Sequence, residues 1–198
     1  MKKEQTLVVI KPDGIQRTLI GEIIKRFERT GLKLVGIKML IPDSDHIKKH
    51  YTIDPDWIEK VGQKSIDSLA EKGEELKTDD PIEAGNKILD VLVKYMSSGP
   101  VVAMVWQGVN SVGVVRKIVG STEPLSSDIG TIRGDFVLDS YKIADTDGRA
   151  VRNLIHASGS VDEAEKEIAL WFNQNEIVNY RLIQEQIIYD VNLDGILE

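Results

Sequence analysis

Thr6-Leu7-Val8-Val9-Ile10-Lys11-Pro12-Asp13-Gly14 reads as a β-branched, apolar strand stopped by a turn tripeptide. Outward from it, Ile20, Ile23, Ile24 and Phe27 recur at i, i+3, i+4 and i+7, the spacing of one helix face, and Gly31 closes that helix. Leu32 to Ile41 is again a strand, so the chain begins strand, helix, strand. Further along, Ile88, Leu89, Leu92, Val93 and Met96 form a second helical stripe, and Pro100 to Trp106 is a third strand. Ser111 to Val119 reads as a helix, and Val151 to Ile155 as a short strand before a last helix. The order is roughly βαββαβ with helical additions. Two such halves build a ferredoxin-like antiparallel sheet, an α+β fold, with helices packed on one face.

With 198 residues and 41% hydrophobic content, the chain can bury one sizeable core and needs no second domain, so residues 1–198 are expected to form a single unit. The absence of cysteine excludes disulfides and thiolate metal sites and fits a reducing, cytoplasmic setting. Met1-Lys2-Lys3-Glu4-Gln5-Thr6 is charged and runs straight into a strand, without the apolar core of a signal peptide. No stretch reaches membrane-spanning length. The formal net charge of -7 argues against broad binding to nucleic acid, so any anion site must be local and pre-built.

The chemistry points to Asn153-Leu154-Ile155-His156-Ala157-Ser158-Gly159-Ser160, where an apolar run ends on a histidine and turns at once into a helix start. Ser160 with Glu163 reads as a capping box at the head of that helix. A side chain at such a junction sits at the rim of a sheet, near free helix N–H groups that favour anions. In the following helix Ala164, Ile168 and Trp171 mark the buried stripe, and Glu167 falls at its edge, partly desolvated. A carboxylate there can accept a hydrogen bond from one ring nitrogen of His156 and leave the other free to attack. Taken alone, the histidine reads more readily as a packed structural residue than as a catalytic one.

Five ordered blocks settle that choice. Val9 to Gly14, Ser98 to Met104, Gly130 to Phe136, Asn153 to Ser160 and the helix from Ala164 to Phe172 resemble the nucleoside diphosphate kinase family. The resemblance covers roughly residues 5 to 51, 86 to 136 and 150 to 189 and implies the same ferredoxin-like fold. It implies a two-step transfer: the γ-phosphoryl of a nucleoside triphosphate passes to His156, and a nucleoside diphosphate then takes it away. Glu167 would orient the imidazole and Ser158 would bond beside both. Lys11, Arg116 and Arg133 match positions that bind the outer phosphates beside Mg²⁺, which the nucleotide holds without direct protein ligands. Thr122 and Asn153 match positions that contact phosphate and ribose. Tyr51 matches a tyrosine near the phosphohistidine, Leu92 a nearby apolar contact, and Ala150 falls among the nucleotide-binding positions too. The resemblance also implies a homo-oligomer, a hexamer or else a tetramer or dimer.

The chain departs from the family pattern in several places. Ile88 stands where an aromatic stacks on the base, and Ala157 and Gly159 replace the common glycine and aspartate of the catalytic loop. Residues from about 52 to 85 read as an inserted segment of one or two helices with Asp-Pro breaks at Asp54-Pro55 and Asp80-Pro81. It is either a replacement wall over the base, to which Trp57 would contribute, or a surface excursion. A second insertion, at about 137–149, places Asp147-Gly148 between apolar runs and predicts a hairpin.

Three other features have plain readings. Asp43 to Tyr51 is a polar helix whose His46 and His50, at i and i+4, have metal-ligand spacing but lack the glutamate that metalloprotease helices carry. Asp190-Val191-Asn192-Leu193-Asp194-Gly195 copies the first half of a Ca²⁺ loop and stops short of its bidentate glutamate, so a frayed polar tail is expected. There is no P-loop and no aromatic pattern for RNA binding. A noncatalytic nucleotide-binding or assembly module of the same fold is the alternative, but it needs none of the set His156, Glu167, Lys11, Arg116 and Arg133.

Overall fold

The computed structural model describes residues 3–71, 73 and 78–189; the Ca²⁺-loop-like segment lies outside them. Strands β1 (Glu4–Ile10), β2 (Lys33–Leu40), β3 (Val101–Gly108) and β4 (Ile155–Ala157) form one antiparallel sheet in the order β2-β3-β1-β4. This is the expected ferredoxin-like α+β arrangement.

The sheet differs from expectation in being covered on both faces. Leu7, Val8, Val9 and Ile10 of the central strand are all withdrawn from solvent. Alternate residues of a strand point to opposite faces, so an unbroken apolar run requires a layer on each side. Val8, Ile10, Met104 and Trp106 pack with Ile23 and Phe27 of α2 (Ile20–Glu28) and Val115 and Val119 of α6 (Ser111–Val119). On the other face, Leu7, Val9, Ala103 and Val105 pack with α3 (Ser44–Tyr51), α5 (Pro81–Met96) and α9 (Val161–Trp171) through Ile47, Leu89, Val93, Met96 and Trp171.

Local chemistry explains the other differences. Pro12-Asp13-Gly14 begins a short helix, α1 (Pro12–Gln16), because proline's fixed φ suits the first helical position, with Lys11 as N-cap. The last strand is Ile155–Ala157 and starts four residues later than expected. Leu154 has φ 63°, which ends extended backbone before it, and its N–H and C=O are held by the Asp13 carboxylate (3.2 Å) and the Lys11 N–H (2.8 Å). No hairpin forms at Asp147-Gly148. Tyr141–Thr146 is a helix, α8, capped by Ser140, which accepts from the Ile143 N–H, and Gly148 at φ 60° supplies the left-handed residue that ends it. The same positive-φ preference that favours a hairpin turn serves a helix C-terminus here. Among the described residues the remaining α-helices are α7 (Ile132–Phe136) and α10 (Gln184–Tyr189), with single 3-10 turns at Pro124–Ser126 and Gln174–Glu176.

The segment from 52 to 85 contains α4 (Trp57–Glu71) and the first turn of α5, where Asp80 caps the helix and Pro81 occupies its first position. The two helices touch backbone to backbone. A Cβ on Gly62 would stand 1.8 Å from the Pro81 carbonyl oxygen, and one on Gly85 would stand 2.0 Å from that of Ile58. Only residues without a side chain allow this approach.

Gly62→Ala is therefore expected to lower unfolding free energy by about 1–3 kcal/mol, the usual cost of overpacking. Gly21→Ala in α2, where an added Cβ meets nothing within 4 Å, should raise it by about 0.5–1 kcal/mol through helix propensity. Urea midpoints for the two variants check this pair; equal effects would mean that the helices separate at no cost.

Candidate active site

His156 is the middle residue of β4 and pairs across the sheet with Val9. Its Nε2 lies 2.7 Å from Oε1 of Glu167, whose second oxygen accepts the Ser158 hydroxyl at 2.6 Å. Ser158 is itself tied to β1, accepting the Leu7 N–H at 3.1 Å. The sequence placed Glu167 at the edge of the helix stripe, but it is 1% exposed, and the buried positions of α9 are Ala164, Glu167 and Trp171. Ile168 is only half-buried. A helix turns through nearly the same face at i+3 and i+4, so spacing alone does not say which of the two neighbours points inward.

Burial by itself would raise the Glu167 carboxyl. The field and hydrogen bond of His156, with His50 and Ser158, outweigh that and hold it below the ordinary glutamate value. An ionised Glu167 only accepts, so Nε2 of His156 carries the proton and Nδ1 keeps a lone pair. Ser160 caps α9 by accepting the Glu163 N–H at 3.1 Å. The Glu163 carboxylate reaches back to the Gly159 N–H (2.9 Å), one residue earlier than in a regular capping box, and so braces the loop after His156.

The cationic residues converge on the same end of β1 and β4. Lys11 is buried and its Nζ donates to Asn153 Oδ1 at 2.7 Å; Asn153 Nδ2 donates in turn to the Thr122 carbonyl at 2.9 Å. Burial first, then the neighbouring Arg133 charge, pull the Lys11 ammonium down to about 7, against a smaller lift from Asp13. Arg133 has a role the sequence did not show. Its guanidinium donates to the carbonyls of Asn153 (3.2 Å), Gly120 (3.1 Å), Ser121 (2.9 Å) and Ile155 (2.7 Å), clipping the 120–122 loop to β4. Burial and then the charge of Arg116 lower it to about 10. Arg116 is exposed on the last turn of α6, and its Nη1 lies 4.0 Å from where a Cβ on Gly159 would stand, at the rim of the same loop.

Among the other expected residues, Thr122 is exposed, Tyr51, Ile88 and Leu92 are half-buried, and Ala150 is buried. Tyr51 meets the ring of His50 edge-on at 5.0 Å and that of Trp57, in the segment that follows it, at 5.3 Å.

The sequence reading missed Asp13, Tyr95 and His50. Asp13 accepts the Tyr95 hydroxyl at 2.6 Å while also holding the Leu154 N–H, and Lys11 Nζ stands 5.3 Å over the Tyr95 ring. Burial pushes the Tyr95 phenol up, and Asp13 adds to that. Asp13 and Tyr95 are far apart in sequence, so no spacing signal joins them. His50 does not pair with His46. Its donor atom lies with those of His156 and Glu167 within 4.8 Å, and the ring meets His156 edge-on at 4.5 Å. Within the trio only His156 and Glu167 are hydrogen-bonded: both Glu167 oxygens are engaged by His156 and Ser158, and His50 Nδ1 instead accepts the Trp171 indole N–H at 3.2 Å.

Comparison with known proteins gives one consistent result. The sequence profile described as Nucleoside diphosphate kinase matches residues 4–59 and 81–177. A nucleoside diphosphate kinase of Pyrobaculum aerophilum is 46% identical over 182 residues, spanning 90% of this chain and all of the relative. The crystal structure of an NDP kinase from that organism superposes with a TM-score of 0.86 at 44% identity, over 90% of this chain and all of the other. A transition-state mimic of the Borrelia burgdorferi nucleoside-diphosphate kinase, with bound vanadate and ADP, superposes with a TM-score of 0.75 at 39% identity, over 93% of this chain and 96% of that one. Residues 60–80, between the two matched segments, lie inside the expected 52–85 insertion, whereas 137–149 lie within the second match. Every residue of the His156 cluster falls in a matched segment, and on that coverage the chain belongs to the nucleoside diphosphate kinase family.

Proposed function

We propose that the chain works as a single domain, with an inserted helical segment after Tyr51, and that His156 Nδ1 carries a phosphoryl group between nucleoside triphosphates and diphosphates. The observation that carries this reading is the 2.7 Å contact from His156 Nε2 to a buried, ionised Glu167. A binding module has no use for a carboxylate that fixes a tautomer.

In the first step the Nδ1 lone pair attacks the γ-phosphorus in line. The N–P bond forms, the bond to the β-phosphate oxygen breaks, and that oxygen leaves with its electron pair on the diphosphate. In the second, a terminal oxygen of another nucleoside diphosphate attacks the same phosphorus and the N–P electrons return to Nδ1. Positive charge gathers on the ring as the N–P bond forms, and Glu167 stabilises it through Nε2–H. Lys11 and Arg116 offer donors to phosphate oxygens, while Arg133 acts first on the loop that carries Thr122. The transition-state mimic of the Borrelia relative, with bound vanadate and ADP, supports a phosphoryl transfer in this fold.

The donor set fits a Mg²⁺ brought in on the nucleotide. The carboxylates beside His156 and Lys11 are Glu167, engaged by His156 and Ser158, and Asp13, engaged by Tyr95 and Leu154. When bound, the ion neutralises charge on the outer phosphates. A homo-oligomeric state is supported by large apolar side chains left in water, with Leu125, Ile129 and Leu138 at 75%, 95% and 97% exposure.

Incubation with γ-labelled ATP and Mg²⁺ should leave acid-labile, alkali-stable label on the protein, transferable to added GDP. His156→Ala should abolish both, and full labelling of that variant would overturn the assignment.

Lys11 supplies a pH signature. With its value in the free protein near 7, it is mostly neutral at about pH 8.5, and a polyphosphate beside it raises that value. ADP binding should then take up to about one proton, and affinity should fall as pH rises above about 7, where free Lys11 loses its charge. Calorimetry in two buffers of different ionisation enthalpy reads the uptake. Uptake that persists in Lys11→Met would place the proton elsewhere.

Light scattering at micromolar concentration should show an oligomer. A monomer alone would remove that part of the reading.

A further inference from the structure

Behind Glu167 stands a second layer that the phosphoryl-transfer scheme leaves unused. Trp171 lies one helical turn after Glu167 on α9, and both meet His50 of α3. The indole N–H can only donate, and it donates to His50 Nδ1 at 3.2 Å. Nδ1 therefore presents a lone pair, and the proton of the neutral ring sits on Nε2.

That assignment leaves a visible tension. Among the described residues, Nε2 of His50 is buried without a hydrogen-bond partner. Meanwhile Glu167 Oε1, a strong acceptor, lies 3.5 Å from Nδ1, where two acceptors face each other and no hydrogen bond is possible. Moving the proton to Nδ1 would give His50 a charge-assisted partner in Glu167. It would also make His50 a second donor to the oxygen that holds His156. The indole N–H blocks this exchange, because a protonated Nδ1 would leave it facing another donor. His46 and Tyr51 from α3, His156 from β4, Glu167 and Trp171 from α9, and Lys11 at the end of β1 are the polar groups around the ring. Burial first, then His156, hold its imidazole down to about 3, so it stays uncharged.

We propose that Trp171 is a positioning residue: by fixing the Nε2–H tautomer of His50 it reserves Glu167 Oε1 for His156. This rests on His156 being the phosphoryl acceptor. Trp171→Phe keeps the aromatic bulk and deletes the donor. His50 should then shift its proton toward Nδ1 and compete for Glu167, and the ring of His156 should lose its fixed orientation.

Two readouts test it. Long-range ¹H–¹⁵N spectra of the labelled protein should show His50 protonated on Nε2 in the wild type and on Nδ1, wholly or in part, in Trp171→Phe. Single-turnover phosphorylation by ATP should slow in that variant by about tenfold to a hundredfold, with ADP affinity unchanged. Removing the competitor as well, in Trp171→Phe with His50→Leu, should recover part of that loss, which a packing role for Trp171 would not allow. The proposal is overturned by a wild-type spectrum with Nδ1–H on His50, by an unchanged tautomer in Trp171→Phe, or by a double variant no faster than the single one. Absence of wild-type labelling on His156 would remove the phosphoryl-transfer reading instead, leaving the tautomer assignment to the spectra.

Discussion

A carboxylate with almost no contact with water pays heavily to stay ionised, and Glu167 does so because His156 and Ser158 both donate hydrogen bonds to it. Breaking a buried pair of this kind leaves an uncompensated charge, at a cost of about 3–5 kcal/mol. The geometry of the site follows from satisfying that one group. Ser158 reaches it while bonded to the backbone of β1, and His156 reaches it from β4, so the carboxylate ties the helix α9 to two strands. The proton on Nε2, and hence the lone pair on Nδ1, is a consequence of the same bond.

The reacting end of the site is held by backbone more than by side-chain packing. Leu154 occupies a left-handed conformation rare for a branched residue, stabilised by Asp13 and by the Lys11 N–H, and this ends the preceding loop and starts β4 one residue before His156. Arg133 then clips the 120–122 loop to the carbonyls on either side of Leu154. Gly14 completes the arrangement, since a Cβ there would stand 3.2 Å from the Leu154 carbonyl oxygen and 2.8 Å from Ile10. Lys11, at the junction of β1 and α1, is consequently buried next to Arg133, which is why its ammonium is so easily discharged.

The helical segment after Tyr51 follows a different logic. Its two helices are locked by glycines at their crossing, and Trp57 at the start of α4 meets Tyr51, the neighbour of His50. The pair sits on the face of the sheet that also carries α9 and Glu167. Trp57 and Ile58 pack there against the apolar cluster that includes Leu7, Val9 and Ala103 of the sheet.

Periodicity and turn chemistry in the sequence determined the antiparallel ferredoxin-like sheet and the helix starts at Asp43 and Ser160; they placed His156 just past a strand, whereas it is the middle residue of β4. These are local signals, set by residues within one or two turns of each other. Motif resemblance carried Lys11, Arg116, Arg133, Asn153, Ser158 and Glu167 to one chemistry. The sequence did not reveal the second covered face of the sheet, because a strand buried on both sides and a helix segment can share an apolar run. Asp147-Gly148 misled for a related reason: a positive-φ residue suits both a hairpin and a helix end, and only packing chooses. The Asp13–Tyr95 bond, the carbonyl clip of Arg133 and the Trp171–His50–Glu167 contact join residues from different elements. Each depends on burial and on which donor is left to which acceptor, and those were decided only when the chain closed on itself.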